Sequence, residues 1–205
     1  MEGGDLYFID EGEPFTDPGV VALEGGEEIP FTTTYTGRYS GYTGTTIGTG
    51  ADEYSLVYSA VNKDGFTATD GRTIFAVNTG NFVNSIEGTY LATSVRVSGE
   101  AYEDIKVMVR EVSANVFEIS CSLGGFYSDG RDLGDAYLVL GGRITLTDLP
   151  NGGFTYTPVV ERADGIALNM SEMEIDTDAR TIKFRITTGE FANGDWTVTL
   201  TQLQP

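Results

Sequence analysis

The sequence predicts an all-β chain: a small antiparallel sandwich at the front and a second antiparallel sandwich or open barrel behind it. Three observations carry this. Apolar and polar residues alternate with period two in run after run. Dipeptides that favour tight turns separate those runs. No window shows the spacing of a long amphipathic helix.

Taken in order, the front part offers Tyr54-Ser55-Leu56-Val57-Tyr58-Ser59-Ala60-Val61 and Arg72-Thr73-Ile74-Phe75-Ala76-Val77 as strands, with Asp64-Gly65 as the turn between them. Before them lies a long stretch, Thr32 to Gly50, rich in Thr, Tyr and Gly. The run that ends at Val77 gives way to the polar linker Asn78-Thr79-Gly80-Asn81, and strand character resumes at Ile86. The boundary is therefore placed between residues 1–79 and 80–205. The rear part continues with Ile105–Arg110, Val116–Cys121, Tyr137–Leu140, Thr181–Ile186 and Trp196–Thr201. Asp129-Gly130, Asn151-Gly152, Asp164-Gly165 and Asn193-Gly194 supply the positive-φ positions of its turns. Met170-Ser171-Glu172-Met173 is expected to make one helical turn.

Composition removes several classes of function. Twelve Lys and Arg stand against 31 Asp and Glu, a net charge of −19. Residues 1–79 hold 3 basic and 13 acidic side chains, and residues 80–205 hold 9 and 18, so the excess is spread along the chain. Nucleic acids and anionic membranes need cationic patches and are disfavoured as partners. There is no histidine, which rules out Ser-His-Asp and Cys-His catalysis and histidine-built zinc sites. The single cysteine, Cys121, forms no intrachain disulfide and shares a strand face with Phe117 and Ile119, as a buried structural thiol does. No apolar run reaches the roughly 18 residues of a membrane-spanning helix. Two carboxylates alone suffice for a glycosidase, but no motif singles out a pair, and the chain is read as a non-enzyme with no cofactor.

Three separated segments carry a resemblance. Glu13-Pro14-Phe15-Thr16-Asp17-Pro18-Gly19-Val20-Val21-Ala22, the Tyr54–Gly65 segment and Arg72–Val77 together resemble the "DPG…Y-x-V-x-Y-x-A…R-x-V-x-V" pattern of bacterial immunoglobulin-like repeats. The rear part, through Ile119–Tyr127, Gly130-Arg131 and Gly134–Tyr137, resembles C-terminal β domains of unknown function in Bacteroidetes surface lipoproteins. The resemblance implies an Ig-like sandwich serving as spacer. It also implies export to the cell surface and outer membrane, and tethering by a lipidated N-terminal cysteine that this sequence does not contain.

The stretch CSLGGFYSDGRDLGDAY, residues 121–137, concentrates glycines, aromatics and aspartates. It lacks the lysine and following helix of a phosphate loop. Asp129, Asp132 and Asp135 stand three apart, a weak calcium candidate without EF-hand spacing. Pyranose rings stack on flat aromatics ringed by hydrogen-bonding groups, so Tyr127, Arg131, Asp129, Asp132 and Tyr137 are the candidate glycan contacts. Phe126 is expected to turn inward, with Tyr127 and Arg131 facing solvent. The alternative is a structural or adhesive surface protein that meets a cell-envelope protein through Tyr35, Tyr39 and Tyr42. The chain is expected to be a monomer.

Overall fold

The computed structural model describes residues 2–190 and 192–204. It divides into two compact units, Met1–Asn78 and Thr79–Pro205. Front-unit strands are β1 (Leu6–Ile9), β2 (Leu23–Glu24), β3 (Glu27–Glu28), β4 (Phe31–Gly37), β5 (Thr43–Gly44), β6 (Asp52–Val61) and β7 (Thr67–Ala76). The rear unit contributes β8 (Gly88–Arg96), β9 (Ala101–Ser113), β10 (Val116–Ile119), β11 (Val139–Leu140), β12 (Gly142–Asp148), β13 (Gly153–Tyr156), β14 (Val159–Arg162), β15 (Ala167–Asp176), β16 (Thr181–Thr187) and β17 (Asp195–Gln202). Helix among the described residues is confined to turns of three to five residues, Phe126–Gly130, Asp135–Tyr137 and Leu149–Asn151.

The front sheet has the order β1-β7-β6-β4-β5, with β2 and β3 as a separate hairpin. Its centre is the long β6–β7 hairpin, paired from Asp52↔Ala76 to Val61↔Thr67. Strand β1 runs parallel to β7, from Leu6↔Thr73 to Ile9↔Ala76, so the sheet is mixed where pure antiparallel pairing is expected. The parallel edge exists because the segment before β2 is tied down by one buried side chain. Arg72 is 2% exposed and lies on the same face as Ile74 and Ala76. Its Nε donates to the Tyr58 hydroxyl at 2.7 Å and sits 3.2 Å from the Asp17 carboxylate. Its Nη2 donates to the Gly19 carbonyl at 2.6 Å, and its Nη1 to the Gly4 carbonyl and the Tyr7 hydroxyl. Tyr58 in turn donates to Asp17 at 2.6 Å. Asp17, Gly19, Tyr58 and Arg72 come from the three sequence segments that resemble the Ig-like pattern. They meet in one charge-assisted network above the core of Tyr35, Tyr54, Leu56, Tyr58, Ile74 and Ala76.

The rear unit is one ten-stranded sheet, curled into a half barrel, in the order β11-β14-β15-β16-β17-β8-β9-β10-β12-β13. Its inner face is apolar: Tyr90 and Ala92 of β8, Ile182, Phe184 and Ile186 of β16, and Trp196, Val198 and Leu200 of β17 are all 0–1% exposed. Gln202, near the end of the chain, donates its buried amide to the carbonyls of Gly80 and Glu87 at 3.1 and 2.6 Å, joining the two ends of the unit. The expected helical turn at Met170–Met173 is instead part of β15. The register slips between Ser171 and Glu174, and Glu172 takes φ 54°, so an extra residue bulges out. Met170 and Met173 are therefore both buried three residues apart, a spacing that imitates a helix.

Arg72→Met should destabilise the front unit by about 1–3 kcal/mol, because it removes the donor shared by Tyr58, the half-buried Asp17 and the Gly4 and Gly19 carbonyls; chemical denaturation followed by tyrosine fluorescence measures it. Burial, and next its hydrogen bond to Asp17, push the Tyr58 hydroxyl up to about 12. A raised folded-state pKa contributes stability that is fully present below the ordinary tyrosine value near 10 and is lost as pH rises through 12. The front unit should therefore weaken between pH 10 and 12, and Tyr58→Phe should flatten that fall in a pH series of melting temperatures.

Candidate functional site

The glycine- and aromatic-rich stretch leaves β10 and ends in β11. In the sheet these two strands are separated by six others, β14, β15, β16, β17, β8 and β9. The curl nevertheless brings their ends together: the Ser122 N–H donates to the Val139 carbonyl at 2.8 Å, so the segment is a strap closed at its base and folded over the inner face. Two adjacent glycines bring it onto the sheet. Gly124 and Gly125 have φ of 60° and 73°. A Cβ on Gly124 would sit 3.1–3.5 Å from Val198, Ala92 and Ser94, and one on Gly125 would lie 2.5 Å from Ile105 Cγ2. The backbone thus rests directly on β17, β8 and β9, at a positive φ that only glycine takes without strain.

The five-residue turn Phe126–Gly130 then presents Phe126, Tyr127 and Ser128 inward together. Phe126 is fully buried and meets Tyr102 and Trp196 edge-on, at 5.0 and 5.8 Å between ring centroids. Tyr127 is 6% exposed, 6.0 Å from Trp196 and 6.4 Å from Tyr137. The inward turn of Phe126 matches expectation; the outward Tyr127 does not. Strand alternation would send neighbouring side chains to opposite faces, whereas a helical turn keeps both on one side.

Two arginines cover Tyr127. The guanidinium carbons of Arg131 and Arg162 each lie 5.0 Å from its ring centroid, and they also stand 5.4 Å from Phe126 and Tyr137 respectively. Each cation is held by a two-point carboxylate contact: Arg131 by Glu100 at 2.8 and 2.5 Å, Arg162 by Asp164 at 2.8 and 2.6 Å. The hydrogen bonds from Arg131 hold the Glu100 carboxyl below its usual range, and those from Arg162 do the same for Asp164. This is a clamp of cation–π contacts fixed by ion pairs, and it keeps the strap closed. Glu100, Tyr102, Arg162 and Trp196 all lie outside the stretch that the sequence singles out. Arg162 carried one signal: it shares the buried parity of Val160 in β14.

The remaining candidates are placed as follows. Asp129, Asp132 and Asp135 are all exposed, and among the described residues no group of three acidic or cysteine side chains is gathered as a metal would need. Asp129 instead accepts the Ser128 hydroxyl at 2.6 Å. Tyr137 is half-buried, and Arg131 keeps about a third of its side chain exposed (32%). Cys121 is buried, which pushes its thiol up and away from nucleophilic use. In the front unit, Tyr35 is not a loop contact but a core residue, 7% exposed. Tyr39 donates its hydroxyl to Glu53 at 3.1 Å, and Tyr42 donates to the Thr46 carbonyl at 2.8 Å while packing on Tyr54. Their loop is organised by buried Asp52, which accepts the backbone N–H groups of Tyr39 and Ser40 at 2.9 and 3.0 Å and the Ser40 hydroxyl.

Phe126→Ala should cost about 3–5 kcal/mol in equilibrium denaturation. Tyr127→Ala should also destabilise by more than about 2 kcal/mol, since it empties a buried site and removes the ring on which both guanidiniums lie. A Tyr127→Ala protein as stable as the parent would show that the clamp does not hold the strap.

Three comparisons bear on kinship. No curated protein matches the chain. Over its full length the chain is similar to the crystal structure of the lipoprotein BT2262 from Bacteroides thetaiotaomicron, at 24% identity and a TM-score of 0.69, covering 98% of this chain and 97% of that one. A family model described as a "-like, C-terminal domain" matches residues 79–202, the strap and the whole curled sheet. That match spans well over half of the sequence, and the chain belongs to the family which this C-terminal domain defines.

Proposed function

We propose that this protein is an exported, lipid-tethered module of the bacterial cell envelope that performs no catalysis, with the front unit as spacer and the rear unit presenting a glycan-binding surface. The observation that carries the envelope reading is the full-length likeness to a protein described as a lipoprotein. The absence of histidine and the buried state of the one thiol support the non-catalytic reading.

For the glycan, what remains available is the outer rim of the strap: the half-buried Tyr137 ring, the exposed part of Arg131, and the exposed carboxylates of Asp129 and Asp132. Tyr127 supports this rim from below and offers no ring face to a sugar. A ring edge beside charged hydrogen-bonding groups suits a pyranose with several hydroxyls.

The rival reading, an adhesive or structural surface protein, draws support from a different place than Tyr35, Tyr39 and Tyr42. At the other end of β4, β6 and β7, Phe31, Val61 and Phe66 are 40%, 55% and 73% exposed. Large apolar side chains grouped on an acidic surface suit a protein partner.

Glycan-array binding of the purified chain, repeated with Tyr137→Ala, tests the first reading. At least one glycan should bind, and Tyr137→Ala should weaken it about ten-fold, equivalent to about 1.4 kcal/mol. Binding lost with Phe66→Ser but kept with Tyr137→Ala would favour the rival. Membrane fractionation of the native gene product tests the tether separately.

A further inference from the structure

The chain holds two Asn-Gly pairs whose asparagines are exposed, with Gly152 exposed and Gly194 buried, and the structure treats them in opposite ways. We infer that Asn193 is a site of spontaneous deamidation in the folded protein and that Asn151 is protected.

The reaction needs no enzyme. The backbone nitrogen of the following residue loses its proton to a base and attacks the asparagine Cγ. The side-chain nitrogen leaves as ammonia, taking up that proton, and a five-membered succinimide closes. Water then opens the ring at either carbonyl and gives aspartate or isoaspartate. No electron changes hands, and water is the only co-reactant. Glycine in the second position favours attack because it has no Cβ to obstruct it. Two things set the rate beyond this: how readily the peptide N–H ionises, and how free the side-chain amide is to receive the nitrogen.

At Asn151 both are opposed. The side-chain amide donates to both oxygens of the Asp148 carboxylate, at 3.1 and 2.9 Å. The Gly152 N–H donates to the Leu149 carbonyl at 2.9 Å. The attacking nitrogen is thus engaged in a hydrogen bond, and a negative charge sits against the group to be attacked, where it disfavours a developing anion.

At Asn193 the charge has the other sign. Arg96 donates its Nε to the Asn193 carbonyl oxygen at 2.8 Å and its Nη2 to the Ala192 carbonyl at 2.9 Å. The Asn193 carbonyl belongs to the same peptide group as the Gly194 N–H. A guanidinium on that oxygen draws electron density from the peptide and stabilises the amidate formed when the N–H ionises. Asn193 is itself exposed, at φ 58°, in the connection between β16 and β17. The product also has a local effect. A new carboxylate appears beside Arg96, which already stands 3.9 Å from Glu100. Isoaspartate adds a methylene to the main chain inside the loop closed by the Thr188 N–H to the Gly194 carbonyl at 2.7 Å.

The test ages the intact chain at mildly alkaline pH, native and in urea, and follows both sites by proteolytic digestion and mass spectrometry. In urea both Asn-Gly pairs should gain the mass of an amide-to-acid change at similar rates. In the native protein Asn193 should convert while Asn151 stays unmodified, and Arg96→Gln should slow Asn193 alone. Native Asn151 converting as fast as Asn193, or native protection of Asn193 equal to that of Asn151, overturns the inference. Should Arg96→Gln fail to fold, the native-to-urea ratio at the two sites of the parent chain decides by itself.

Discussion

A sheet curled into a half barrel has an apolar inner face that its own chain must cover. In the rear unit this requirement organises everything else. The strap between β10 and β11 lays Phe126 and Tyr127 against Trp196, and Arg131 and Arg162 close over it. Without the strap, Ala92 and Ser94 of β8, Ile105 of β9 and Trp196 and Val198 of β17 would lose the segment that packs on them. Burial of a large aromatic is worth about 1.5–3 kcal/mol, so the strap contributes on the scale of the whole unit's net stability, which for a domain is about 5–15 kcal/mol. Its glycines are required because the backbone, and not only the side chains, touches the sheet.

A second device recurs in both units: an arginine on the buried parity of a strand, fixed by a carboxylate and laid against tyrosine rings. Arg72 gathers Asp17, Tyr58 and two carbonyls of the front segment. Arg162 gathers Asp164, Tyr127 and Tyr137. In each case a segment without regular secondary structure is held on a sheet by a planar cation that hydrogen-bonds along its edge and stacks across its face. Apolar packing alone would hold such irregular segments poorly, because their backbone groups also need partners.

Strand existence was legible because period-two alternation is a local property. The runs from Tyr54, Ile105, Thr181 and Trp196 fall within strands and that from Arg72 all but its last residue, whereas Tyr137–Leu140 is strand only at Val139 and Leu140. The parallel β1–β7 pair and the ten-strand order were not legible, since pairing partners such as Trp196 and Arg96 lie far apart in sequence. The strap's chemistry was half legible. Phe126 turns inward as its sequence suggests, while Tyr127 was not legible as buried, because a helical turn within the loop puts Phe126, Tyr127 and Ser128 on one side. Tyr35 was drawn into a loop by its Thr and Gly neighbours, although it alternates with Thr34 and Thr36 as a core residue should. Arginine on an apolar parity, as at positions 72 and 162, was the unused clue.

The order of the strap in the chain has a consequence for biogenesis. Residues 121–137 emerge from the ribosome, and from any export channel, before β15, β16 and β17, yet their binding surface includes β17. The inner face is complete only when Trp196 pairs with Arg96 and Gln202 reaches back to Gly80. Folding of the rear unit therefore waits for its last strand, and until then Phe126 and Tyr127 travel uncovered. Such long-range closure is slow, so the apolar side chains of the strap stay uncovered until the whole unit has been synthesised.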